Sequence, residues 1–163
     1  MVDKTEKVMR ERLTAEQQDL IRLGHKNPFY QYVLDHGRDF ILEPLTVDET
    51  MKLAFSKKRV KPKRKVCFSN ALRLWLDNND FKYCEGYISA FPDMILVPIY
   101  HAWNCIHGKL VDVTLVGYQY FGVEFKDEDV DKHIKMIMKD KEWRPIIDDW
   151  WHDWPFLREK GYL

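Results

Sequence analysis

Cysteine is scarce in this chain: three residues, at 67, 84 and 105, an odd number with no CxxC spacing. That pattern excludes a disulfide framework and points to a reducing compartment. Charge of one sign is missing too, since 26 basic residues are balanced by 26 acidic ones. No global field therefore drives the chain onto nucleic acid or a membrane surface. Nowhere do 18 apolar residues follow one another, so no segment is expected to span a bilayer. The N-terminal MVDKTEKVMRERL lacks an apolar core, so no signal peptide is expected, and the expected location is cytoplasmic (host cytoplasm for a viral chain). Internal repeats and low-complexity tracts are absent.

What is present is a globular composition, 45% hydrophobic and 14% aromatic over 163 residues. That is enough for one domain with a proper core. The charges are segregated: the middle of the chain is locally basic and the region after Lys126 carries most of the acidic clusters.

Asp3 to about Gly24 reads as a helix, with Thr14 and Gln17 offering a capping box that would split it in two. Asn27 to Gly37 reads as a second, capped by Asn27, with Pro28 at its first position. Asp39 to Leu45 suggests a short strand. Thr46 and Glu49 then open a helix with the S/T-x-x-E pattern. Lys57 to Lys65 is almost wholly basic, broken by Pro62, and carries no aromatic residue. A solvated linker is the simpler reading of it, and a phosphate or acidic-substrate contact the sharper one.

Lys65 to Leu76, KVCFSNALRLWL, puts Cys67 at the start of an amphipathic helix whose stripe is Phe68, Ala71, Leu72, Trp75 and Leu76. Asp77 to Asp80 ends it. Phe81 to Phe91 alternates as a strand, Pro92-Asp93 marks a turn, and Met94 to Ile106 reads as a strand interrupted by Pro98. His107-Gly108 is a turn signal, after which Lys109 to Val116 returns. Gly117 to Phe125 suggests a short strand or loop. Lys126 to Trp143 suggests a helix, acidic at its start and with Ile134, Ile137 and Met138 inward. The tail holds Trp150, Trp151 and Trp154, expected to fold back over the core, with a partner site as the alternative.

A thiol is a nucleophile as thiolate, and a helix N-terminus beside an imidazole favours that form. Cys67 is placed for the first effect. Counting across a two-residue His107-Gly108 loop sets Trp103 opposite Asp112 and His101 opposite Thr114. Residues 101, 103, 112 and 114 then share one face, with His101 and Asp112 diagonal neighbours at roughly 7–8 Å. A slip of one residue in register would abolish this. The spacing nominates Cys67 as nucleophile, His101 as base and Asp112 as the acid that orients the imidazole.

The ordered set Cys67-Phe68, Glu85-Gly86-Tyr87, His101-Ala102-Trp103 and Val111-Asp112-Val113-Thr114 resembles the transglutaminase-like branch of papain-type thiol enzymes, in short versions found in bacteria and phages. The resemblance covers about residues 60–125. It implies an α+β fold with a papain-like transglutaminase core, a Cys-bearing helix packed on an antiparallel β-sheet. Helical extensions would fill about 1–58 and 126–163 of a single domain. It also implies a Cys-His-Asp triad that transfers acyl groups through a thioester, with a protein or peptide substrate. Phe68 stands where animal transglutaminases have tryptophan, and Val113 where proline is common. No EF-hand calcium loop is present, so calcium activation does not carry over.

For the flanking residues the alternatives stay open. Glu85 lines the cleft or pairs with a lysine. Trp103 packs beside the histidine or touches substrate. After the Cys67 N–H, the candidates for a second oxyanion donor are a side chain ahead of it and Tyr83. No cofactor is called for. A metal site from Cys67, Cys84, Cys105, His101 and His107 is disfavoured by the lack of CxxC or HxxxH spacing. The competing function is a non-catalytic interaction module using the basic 57–65 run or the tryptophan-rich tail.

Overall fold

The computed structural model describes residues 8–89 and 98–163. The expected turn at Pro92-Asp93 and the strand residues from Met94 to Val97 fall outside them. The architecture is α+β, with an antiparallel five-stranded sheet that curls and carries helices.

Two helices lead the chain, α1 (Val8–Arg22) and α2 (Pro28–His36). The expected break at Thr14 does not occur, because its hydroxyl donates back to the Arg10 carbonyl within the helix at 2.8 Å. Gln17 is buried instead and exchanges hydrogen bonds with both the N–H and the C=O of Asn27. Asn27 caps α2 through the N–H groups of Phe29 and Tyr30, with Pro28 following, as the sequence predicts.

Strand β1 is only Arg38–Phe40, shorter than expected. Helix α3 (Val47–Val60) has the reciprocal Thr46–Glu49 capping box and runs four residues into the basic stretch before Lys61 ends it in the left-handed region. Helix α4 (Cys67–Asp77) begins at the cysteine. Its inward residues are Asn70, Ala71, Leu72 and Leu74, whereas Leu76 is exposed, so the stripe is rotated from the expected one.

Strands β2 (Phe81–Ser89), β3 (Ile99–Ile106), β4 (Lys109–Val111) and β5 (Gln119–Glu124) complete the sheet in the order β1-β5-β2-β3-β4. The segment that sequence left as a strand or loop is therefore an inner strand, paired with β1 on one side and β2 on the other. Gly122 allows this. A Cβ there would lie 2.3 Å from the Glu85 carbonyl oxygen and 2.6 Å from the Trp103 ring.

Side-chain alternation sorts the sheet into two faces. Tyr83, Tyr87, Ala102, Phe121 and Val123 join the main core with residues of α1, α2 and α4. Cys84, Ile88, Trp103, Cys105 and Tyr120 form a second, smaller core closed by Phe40 and Leu110. Helix α5 (Asp127–Ile137) buries Val130, His133, Ile134 and Ile137 and stops before the expected Trp143, leaving Met138 exposed. A 3-10 turn (Trp150–His152) leads into α6 (Pro155–Glu159). Trp154 folds back, half-buried, with its ring 6.1 Å from Phe29, but Trp150 and Trp151 stay exposed. No helix among the described residues is long and apolar enough to cross a membrane.

Candidate active site

The β3–β4 hairpin turns at His107-Gly108, with Asn104 opposite Val111, Cys105 opposite Leu110 and Ile106 opposite Lys109. That is the register counted from the sequence. The ladder ends at Val111, however, so the pairs 103–112 and 101–114 are not formed as strand partners. Asp112 instead opens a turn. Its Oδ1 accepts the N–H groups of Thr114 (2.8 Å) and Leu115 (3.1 Å). This frees Oδ2 to reach across to His101 Nε2 at 2.6 Å.

Both members of this pair are shielded from water, with 5% of the histidine side chain and 1% of the aspartate exposed. In such surroundings a charge-assisted hydrogen bond is strong. Burial alone would push the His101 imidazole down. The Asp112 carboxylate, then the Cys67 sulfur, outweigh that and hold it up at about 9. With Nε2 engaged by Asp112, Nδ1 is the nitrogen left for the Cys67 sulfur, which lies close enough to favour the charged ring. Cys67, His101 and Asp112, nominated together by sequence, are thus in one place.

Cys67 is the first residue of α4, and no side chain caps that terminus. The N–H groups of a helix's first turn point out of it and attract negative charge. The thiol is half-buried, between the buried Cys84 and Cys105 and a solvent-facing group.

The three flanking candidates are placed differently from a cleft lining. Tyr83 and Glu85 are 0% exposed and Trp103 1%. The Tyr83 hydroxyl donates to Glu85 Oε1 at 2.6 Å, so its proton is not free for an oxyanion. Glu85 pairs with no lysine among the described residues. Its oxygens also take the Tyr100 hydroxyl (2.5 Å) and the Ile146 and Ile147 N–H groups (2.5 and 3.0 Å). Burial pushes this carboxyl up, and the two tyrosines and two N–H groups oppose it. Four donors make Glu85 a structural tie between the sheet and the C-terminal segment. Trp103 stacks beside His101 with ring centroids 6.4 Å apart, the packing role read from the sequence.

Two residues that sequence reasoning passed over complete the site. Tyr120 donates its hydroxyl to Asp112 Oδ2 at 3.0 Å and accepts the Gly117 N–H at 2.7 Å, so it fixes the aspartate from the inner strand. Asn70, fully buried, donates to Thr114 Oγ1 (2.7 Å) and to the Lys63 carbonyl (2.6 Å) and accepts the Lys63 N–H (3.0 Å). A buried Asn on the otherwise apolar side of α4, one turn after Cys67, was the available signal for it. For Tyr120 the sequence held none, because its contact needs the β5–β2 pairing.

The five residues considered for a metal do not converge. His107 Nδ1 donates to Glu49 Oε1 (3.0 Å) and Lys109 Nζ to Glu49 Oε2 (2.9 Å), so the capping glutamate anchors the hairpin turn to α3. Cys84 and Cys105 approach to 3.7 Å and have Glu124 nearby, but that carboxylate is already paired with Arg38 at 2.8 Å. Comparison with family models, with curated proteins and with solved structures finds no match to this chain.

Proposed function

We propose that the protein is a thiol-dependent acyl-transfer enzyme with a papain-like transglutaminase core, acting on an amide through a thioester. The observation that carries this reading is the water-shielded His101–Asp112 pair at 2.6 Å, with the Cys67 sulfur, at a helix N-terminus, acting on the same imidazole.

In this reading the Cys67 sulfur, as thiolate, attacks the amide carbonyl carbon and the carbonyl electrons move onto oxygen. In this reading the Cys67 N–H is one donor to that oxyanion. His101 gives its proton to the amine as the C–N bond breaks, leaving a thioester and a neutral imidazole. The imidazole then takes a proton from the acceptor, which attacks the thioester and releases the thiolate. Water as acceptor gives a protease, amidase or deamidase, and an amine gives a transglutaminase. Asp112 keeps its charge throughout and orients the ring. No step calls for a cofactor.

The experiment is the rate of iodoacetamide alkylation of Cys67 against pH, read by peptide mapping. An activated thiol alkylates well below pH 7, faster than free cysteine. A Cys67 that reacts no faster than free cysteine there would falsify the reading.

A non-catalytic interaction module is the second reading, favoured by the exposure of Trp150 and Trp151 at 61% and 60%. Under it a Cys67→Ala variant keeps its full biological effect.

A further inference from the structure

The basic run Lys57–Lys65 splits into two parts. Its first residues complete the last turn of α3, and Arg59 there is used, bidentate on Asp77 at 2.6 and 2.7 Å. The remainder, Lys61 to Lys65, is the connection into Cys67, and it is not a loose tether. Asn70 grips Lys63 by both its N–H and its C=O, and the same amide holds Thr114, two residues beyond Asp112. Lys61 and Lys65 bracket the connection in the left-handed region, at φ 51° and 63°. Non-glycine residues occupy that region only when surrounding contacts hold them there.

Lys61, Lys63, Arg64 and Lys65 are all exposed. The carboxylates around α3 and α4 are already engaged: Asp77 by Arg59, Asp80 by Lys52, Asp127 by Lys82 and Glu49 by Lys109. Among the described residues no carboxylate pairs with any of the four. A chain of zero net charge thus gathers four cations, without a carboxylate partner among the described residues, in the five residues leading to its candidate nucleophile, with the backbone at Lys63 held by Asn70. Like charges held together repel, and a ligand of opposite sign relieves that repulsion while being steered to the site.

We propose that this Asn70-anchored basic segment binds acidic side chains of a polypeptide substrate and delivers a neighbouring amide to Cys67. The inference rests on the acyl-transfer reading for the word substrate, though not for the binding. A peptide fits better than a nucleic acid. Single-stranded nucleic acids are held by aromatic rings interleaved with cations, and residues 57–66 contain no aromatic side chain. The chemistry at Cys67 also acts on amides.

Two measurements test it. The first is the ratio of Cys67 alkylation rates with iodoacetate, an anion, and iodoacetamide, its neutral counterpart, in which intrinsic thiol reactivity cancels. The ratio is expected to fall roughly tenfold from low to high salt and by a similar factor in the K63E/R64E/K65E variant. A ratio unmoved by salt overturns the proposal even where the triple variant does not fold. The second is titration of the Cys67→Ala protein with a glutamate-rich peptide, a neutral peptide and an oligonucleotide of matching charge. Tighter binding of the acidic peptide, lost in the triple variant, supports the proposal. Equal binding of both peptides, or tighter binding of the oligonucleotide, overturns it. Failure of the acyl-transfer reading is separately visible as slow alkylation by both reagents, which leaves the peptide titration to decide the binding.

Discussion

Asp112→Asn is the substitution that bears most directly on the site. The Asp112 carboxylate faces donors on every side: two backbone N–H groups on Oδ1, and the Tyr120 hydroxyl and His101 on Oδ2. An asparagine keeps the shape but must turn its NH2 group toward one of those sets. If it faces the N–H groups the turn is lost, and if it faces His101 the imidazole loses its anionic partner. The first-order effect is on the histidine. Burial opposes its charge, and Asp112 is the largest influence holding it up at about 9. Removing the carboxylate should return it to the ordinary range near 6.5 or below. A gap of that size corresponds to roughly 3 kcal/mol of differential stabilisation of imidazolium. The sign is fixed by linkage. A folded value raised above the unfolded one contributes stability in full below about 6.5, and that contribution is lost as pH rises to about 9. The assay is the titration of the His101 ring resonance by NMR in both proteins, with urea unfolding from pH 6 to 10 alongside. A His101 midpoint near 6.5 in the wild-type protein, or one that the Asn variant leaves unmoved, refutes the reasoning.

Three other substitutions probe the frame around the site. Asn70→Ala removes three part-buried hydrogen bonds, for a cost of roughly 2–4 kcal/mol, and should also slow Cys67 alkylation; chemical unfolding and the labelling rate check the two effects. Glu85→Ala leaves two tyrosine hydroxyls and the Ile146 and Ile147 N–H groups without an acceptor. A loss of roughly 3–5 kcal/mol is expected, with proteolysis appearing near residue 146 first; unchanged stability would show that the tie is dispensable. Gly122→Ala forces a Cβ to within 2.6 Å of the Trp103 ring and 2.3 Å of a backbone oxygen. Because backbone cannot give way as a flexible side chain does, the expected destabilisation exceeds ~2 kcal/mol in thermal unfolding.

The parts of this molecule that were legible in its sequence are those set by local chemistry. Asn27 with Pro28, and Thr46 with Glu49, announce helix starts through side chains that bond three residues or fewer away, and both occur as read. The hairpin register followed from its two-residue turn. The misreadings came where distant contacts decide. Thr14 with Gln17 has the capping pattern, but tertiary demand buries Gln17 against Asn27 and the helix runs on. Gly117 to Phe125 is too irregular to declare itself an inner strand, and only Gly86 opposite Gly122 lets its backbone and the Trp103 ring approach so closely. Glu85 reads as a cleft residue or a lysine's partner because a lone acid in a strand is seldom buried. Its four donors come from β2, β3 and a segment 61 residues away, a convergence with no local trace.

These ties share a design that bears on how a half-buried thiol can be held with accuracy. The pieces of the candidate site lie on one helix terminus and one hairpin, which would drift relative to each other if joined only by apolar packing. Asn70 bolts the helix to the residues just past Asp112 and to the basic connection before Cys67. Glu49 bolts the other end of the hairpin to α3, and Tyr120 bolts Asp112 to β5. Each bolt is a polar side chain with little or no exposure and matched partners, worth having only where direction matters, since burying a polar group otherwise opposes folding. A structural cysteine in a hydrophobic core needs no such direction: Cys84 and Cys105 sit in the second core, where Cys84 Sγ makes only long contacts, to Cys105 Sγ at 3.7 Å and the Lys82 carbonyl at 3.9 Å. That the directional contacts gather around Cys67, His101 and Asp112, and not around the other two thiols, is the argument for looking for chemistry at the first.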